Sequence, residues 1–181
     1  MLICNVTVGQ FLIQTREFSK RQFETTFPLP FLLVKTSYMG QSSIYATLAA
    51  DDMQSAVKAA NTVDMNTSRD MLFTIEKSER NVFAAMVTVG RATNNDIIIN
   101  HPSVSKMHAY FKKGAENYTI TDFGSKNGTY VKEDRLPVKE PQTIENGLVI
   151  KFGKIETTFY EPQALFDYLT EVRSFQSITG A

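Results

Sequence analysis

Residues 107–131 read MHAYFKKGAENYTITDFGSKNGTYV, and this stretch decides the fold. Its β-branched and aromatic runs, MHAYFKK, NYTITDF and TYVKE (which continues to Glu133), are separated by KGAEN and GSKNG. Those separators are turn chemistry. In NYTITDF, Tyr118, Ile120 and Asp122 alternate with Thr119 and Thr121, the period of two expected of a strand with two unlike faces. Outward from this core, LFTIEK, AAMVTVG, DIIIN, GLVIKFG and IETTFYE repeat the pattern, punctuated by TNN, NHPS and KEPQ. Short strands at even spacing with no helical run between them predict a mainly β fold, a β-sandwich, and argue against alternating βαβ units.

The flanks change character. Pro162 suits a first helical position, and Leu165, Phe166, Leu169 and Val172 then share one face, predicting a short amphipathic helix packed on the sandwich with a frayed tail after Ser174. Before the strands, Thr15 to Thr26 reads as a helix capped by Thr15 and stopped by Pro28, PFLLVK as a buried strand, and Asp51 to Asn61 as a second helix. The organisation expected is an α/β extension over 1–70 resting on the sandwich, a sandwich over 71–161, and a helix and tail over 162–181.

Composition narrows the function classes. Hydrophobic residues at 43% and charged ones at 21% describe a chain able to bury a core. Lys+Arg and Asp+Glu are equal at 19 each, so no global field favours nucleic acid or an anionic membrane, and anion binding must come from a local cluster. The densest basic stretch runs from Arg91 to Lys132 and includes Lys106, Lys112, Lys113 and Lys126. With Cys4 alone, no internal disulfide forms. The apolar MLICNVTVGQFLIQ lacks a basic n-region and a cleavage site, and no run is long enough to span a bilayer. A soluble cytoplasmic protein is expected, in which the sequons at Asn5, Asn66, Asn117 and Asn127 carry no glycan.

Four short motifs lie in order among the strands: Gly90-Arg91, Ser105-Lys106-Met107-His108, Asp122-Phe123-Gly124-Ser125, and Asn127-Gly128-Thr129. Phosphate capture needs a planar fork of donors, which Arg91 supplies where a strand ends in a loop. Ser105 adds a short hydroxyl donor beside Lys106. Lys126 and Asn127 share the third loop, and the Asn127 amide, both donor and acceptor, suits the backbone of an extended peptide. A sandwich gathers its loops at one end, so these distant residues can converge.

The ordered GR, S-x-x-H and NG(T) motifs, with DIII, HAYF and YTITDF between them, resemble the forkhead-associated domain family over about residues 71–161. The resemblance implies an FHA-type sandwich that binds phosphothreonine peptides as a signalling adaptor of the bacterial regulatory type. It implies that Arg91 and Ser105 hold the phosphate, that Asn127 holds the ligand main chain, and that His108 braces the loop. Gly90, Gly128 and Thr129 would support the site. Two departures stand out: Lys106 where arginine is frequent, and Lys126 where threonine or serine is common. Lys126 adds a point charge to the phosphate or points into solvent.

Blander readings stand beside these. Arg91 alone is a solvated surface residue, Ser105 a turn hydroxyl, His108 a satisfied structural histidine, Asp122 a turn cap, and Lys112 and Lys113 a solvated face. Enzymatic function is not expected. Only His101 and His108 are present, and no G-x-x-x-x-G-K-[ST], H-E-x-x-H, G-x-S-x-G or G-x-G-x-x-G occurs. Neither a metal site nor a cofactor is expected. The expected partner is a threonine-phosphorylated protein or peptide, a Ser/Thr kinase or its substrate being candidates, with no nucleic acid or membrane. A phosphate-independent interaction or dimerisation scaffold on the same fold, with the extension over 1–70 as a route to oligomers, is the alternative.

Overall fold

Tyr118–Asp122 (β7) and Ala109–Lys113 (β6) form the central hairpin, with Phe111 opposite Ile120 and Ala109 opposite Asp122. Phe111, Ile120 and Ala109 are fully buried, while Lys112 and Lys113 lie in solvent, so one face of the hairpin is core. Val87–Gly90 (β4) adds antiparallel to β6, and Ile97–Ile98 (β5) adds parallel to β4. Pro141–Ile144 (β10) closes the other edge against β7, giving the order β10-β7-β6-β4-β5. The opposing layer comprises Thr129–Val131 (β8), Asp134–Arg135 (β9), Val149–Phe152 (β11) and Ile155–Tyr160 (β12), paired in the order β12-β11-β8-β9. Phe111 meets Phe152 and Tyr118 meets Phe159 across the layers, at ring-centre distances of 6.5 Å and 5.9 Å. The β-sandwich predicted from alternation is the observed fold.

The structure, a computed structural model, describes residues 6–35 and 69–179, of which 175–179 as backbone only. The expected helix over Asp51 to Asn61 lies outside the described residues. The chain divides into two compact units, Ile75–Phe159 and Met1–Thr74 with Tyr160–Ala181.

In the second of these, Phe31–Val34 (β2) pairs with Met71–Thr74 (β3), which also pairs with Val6–Thr7 (β1). LFTIEK, read as the first sandwich strand, is therefore strand only at its start and pairs with the N-terminal segment. One helix was expected, over Thr15 to Thr26; two of seven residues are observed, one before that span and one within it. Val8–Gln14 (α1) starts from a Thr7/Gln10 capping box, and Lys20–Thr26 (α2) from a Ser19/Gln22 capping box. Thr15 closes α1, its hydroxyl donating to Phe11 O at 2.7 Å, and is not the cap of the helix before Pro28. Both caps present the same S/T-x-x-Q signal, so the local competition was between two valid starts.

Pro162–Thr179 (α3) begins at the predicted proline, and its helical backbone runs on past Ser174 to Thr179. Leu165 and Leu169 join Val8, Phe11, Phe23, Phe31 and Leu72 in one core, with Phe166 and Val172 at its margin. The buried face of the helix, Leu165 and Leu169, is thus the one its sequence period marked as apolar.

Candidate functional site

Gly90 ends β4 because nothing larger fits: a Cβ there would sit 2.3 Å from Lys106 O. That close approach lets Arg91 N donate to Ser105 O at 3.0 Å and Ala92 N to Lys106 O at 3.2 Å. The buried Asn95 side chain ties the two loops further, donating to Ala92 O at 2.8 Å and Lys106 O at 2.6 Å. The first loop is thus fastened along the second, and Arg91 is left exposed at its start.

Ser105 links the second loop to the third. Its Oγ accepts Lys126 N–H at 3.0 Å, so the hydroxyl proton remains available to donate outward. Ser105 N–H donates to His108 Nδ1 at 3.0 Å, which fixes the proton on Nε2, and Nε2 donates to Gly128 O at 3.0 Å. His108 is fully buried, and burial first holds its pKa below the usual histidine value, against the Gly128 carbonyl and the Asp122 charge. Both ring nitrogens are engaged, so His108 has none to offer a substrate. Its two hydrogen bonds connect the second loop to the third.

Asp122 organises the third loop. Oδ1 accepts Gly124 N at 2.8 Å and Ser125 N at 2.9 Å, while Oδ2 accepts the Ser125 and Thr129 hydroxyls, each at 2.6 Å. Burial opposes the charged form, yet these four donors bring its pKa below the usual carboxylate range. Thr129 is therefore buried as a support, and Gly128, at φ +82°, turns the chain where a Cβ would lie 2.7 Å from Arg135 Nε.

The five residues expected to bind ligand thus lie on three loops stitched together at Ser105. Arg91, Lys106, Lys126 and Asn127 are exposed and Ser105 is half-buried. One detail differs from expectation. Asn127 Nδ2 already donates to Ser103 O at 2.8 Å, so its amide is part brace and leaves one N–H and its carbonyl to a ligand. Asn95 and Ser103 were missed in the sequence; their roles depend on partners 11 and 24 residues away, which no local pattern signals. Asn95 Oδ1 is buried without a hydrogen-bond partner among the described residues. No group of three or more histidine, cysteine, aspartate or glutamate side chains suited to a metal occurs among the described residues. Nor, among them, is any helix long and apolar enough to cross a membrane.

Residues 87–153 match the FHA domain model, a span that contains every one of the stitched loops. This segment is an FHA domain. Its curated relatives include an oxoglutarate dehydrogenase inhibitor of Corynebacterium jeikeium, 39% identical over 70 residues, covering 39% of this chain and 46% of that protein. The glycogen accumulation regulator GarA of Mycobacterium tuberculosis is 35% identical over 75 residues, covering 41% and 44%. The chain spans about half the length of these relatives. Among solved structures, an FHA domain of Arabidopsis thaliana superposes with a TM-score of 0.47 at 21% identity, covering 74% of this chain and 86% of that one.

Proposed function

We propose that the FHA domain binds phosphothreonine peptides through the loops at Arg91, Ser105 and Asn127, and that the protein acts as a signalling adaptor without catalysing a reaction. The observation that carries this reading is the meeting of an exposed guanidinium with a hydroxyl whose own proton is free. Arg91 N–H is fastened to Ser105 O, and Ser105 Oγ is turned by Lys126 N–H. A dianionic phosphate accepts from both and gains more from charged donors than from neutral ones. Lys106 and Lys126 add positive charge on either side, and Asn127 offers its remaining amide groups to the ligand main chain.

The relatives support a regulatory setting: one is named an inhibitor and one a regulator, both from bacteria. A phosphothreonine peptide array probed with the wild type and with Arg91→Ala tests the proposal. Capture by the wild type and its loss in the variant support it; equal capture by both rejects the site.

A further inference from the structure

Lys154 reaches the site by a route that neither the four motifs nor the three loops include. It lies in the turn between β11 and β12, and its backbone N–H donates to Ser103 Oγ at 3.0 Å. Ser103 is the residue whose carbonyl holds Asn127 Nδ2, so Lys154 and Asn127 are fastened to opposite ends of one residue. The approach is enforced by Gly153, at φ +61°, where a Cβ would lie 2.4 Å from Ser103 O. Gly153 N also donates to Gly128 O at 3.0 Å, the carbonyl that accepts from His108. A fourth loop is thus pressed against the other three, and it presents an exposed lysine there.

The charge balance at this place is one-sided. Arg91, Lys106, Lys126 and Lys154 are all exposed, and none makes an ion pair among the described residues. The carboxylates fixed in the adjoining loops, Asp96 and Asp122, are buried and held by donors of their own. His101, whose Nδ1 lies 2.8 Å from Ser103 Oγ, has its pKa lowered by burial and then by the Lys154 charge, so it stays neutral and contributes nothing to offset the cations. Elsewhere in the described chain, Lys20 and Lys151 do have carboxylate partners. Four unpaired cations exceed the charge of one phosphothreonine, which is about −1.5 to −2.

Resting on the phosphothreonine reading, we infer that the ligand carries a second anionic group near the phosphothreonine, a carboxylate or a further phosphate, and that Lys154 reads it beside Asn127. Lys154 is then a specificity-determining residue supplied by a loop outside the phosphate-binding set.

Calorimetric titration of the full chain with three synthetic peptides tests this. Each contains one phosphothreonine, flanked by alanines, by glutamates, or by alanines and one phosphoserine. The wild type is expected to prefer one or both of the doubly anionic peptides by about two- to fivefold at low salt, the range of an exposed ion pair. Lys154→Met should bring that ratio towards one, and Lys154→Glu below one. The side-chain change leaves the backbone bond to Ser103 in place, so folding is retained. Lys113→Met, on the exposed end of β6, controls for bulk charge. Preference for the glutamate peptide identifies a carboxylate ligand, and preference for the phosphoserine peptide alone identifies a phosphate. No preference in the wild type, or an equal fall in Lys113→Met, overturns the inference while leaving phosphothreonine binding intact. If the wild type binds none of the three peptides, both readings fall together.

Discussion

Ser105 Oγ accepts the backbone N–H of Lys126 at 3.0 Å, joining two loops 21 residues apart in the sequence. The bond has two effects at once. It fixes where the third loop lies, and it fixes which way the serine hydroxyl can donate. A ligand that accepts from Ser105 therefore meets a donor already oriented, with less side-chain entropy left to lose on binding.

Arg91 separates binding from folding. Its side chain is exposed and makes no hydrogen bond or ion pair among the described residues. Arg91→Ala should weaken phosphothreonine binding by roughly 1.5–3 kcal/mol, about ten- to a hundredfold or somewhat more. Its thermal midpoint should match the wild type. Paired titration and thermal melting measure both; a large drop in midpoint would mean that Arg91 is a structural residue.

His108 should behave in the opposite way. Removing its ring takes the acceptor from Ser105 N–H and one of the two donors from Gly128 O, the other being Gly153 N–H, and empties a fully buried position. His108→Ala should cost about 3 kcal/mol of stability and weaken binding as well, because the loops it braces carry the site. Urea denaturation gives the stability term directly.

Acid should destabilise the domain in two stages. The folded pKa of His108 is lowered, so the unfolded state binds the proton more readily, and stability rises with pH across that interval. Its contribution is complete above the ordinary histidine pKa of about 6.5 and is lost as pH falls towards the folded value. Asp96 and Asp122 are also lowered, despite burial, by the donors around them. Their contribution is present above the ordinary aspartate pKa of about 3.9 and goes as pH falls further. Thermal midpoints should decline as pH falls below about 6.5, and again below about pH 4. A midpoint that rises on going from pH 7 to 5 would contradict the neutral, buried histidine.

Two glycines provide a matched pair. Gly153 and Gly147 both have positive φ, +61° and +76°, but a Cβ at Gly147 meets nothing within 4 Å while one at Gly153 strikes Ser103 O. Gly147→Ala should cost about 1–2 kcal/mol, the backbone penalty alone. Gly153→Ala should cost more and should also weaken phosphopeptide binding, since Ser103 must move and Asn127 moves with it. Denaturation and titration of both variants check the ordering.

The sandwich was legible because burial on one side leaves a mark every second residue, as in Phe111 and Ile120. What the marks could not reveal were strands without a buried face. Asp134–Arg135 is wholly exposed, and Pro141–Ile144 is an edge strand with Ile144 alone buried, so KEPQ read as a turn. In the N-terminal segment, the capping boxes at Thr7/Gln10 and Ser19/Gln22 went unread, and Thr15, which ends the first helix, was taken for the start of the second. The site shows a similar division. Arg91, Ser105, His108 and Asn127 stood out through motif order. Ser103, Asn95 and Lys154 did not, because each acts through a partner set by tertiary approach and not by sequence spacing.

Titration of the wild type with one peptide sequence in three forms, phosphothreonine, phosphoserine and unmodified, tests the central claim most directly. The proposed function predicts measurable binding of the phosphothreonine form and at least a tenfold loss without the phosphate, the loss of one or more charge-assisted hydrogen bonds. Equal affinity for all three forms would contradict it and would favour a phosphate-independent interaction surface on the same sandwich.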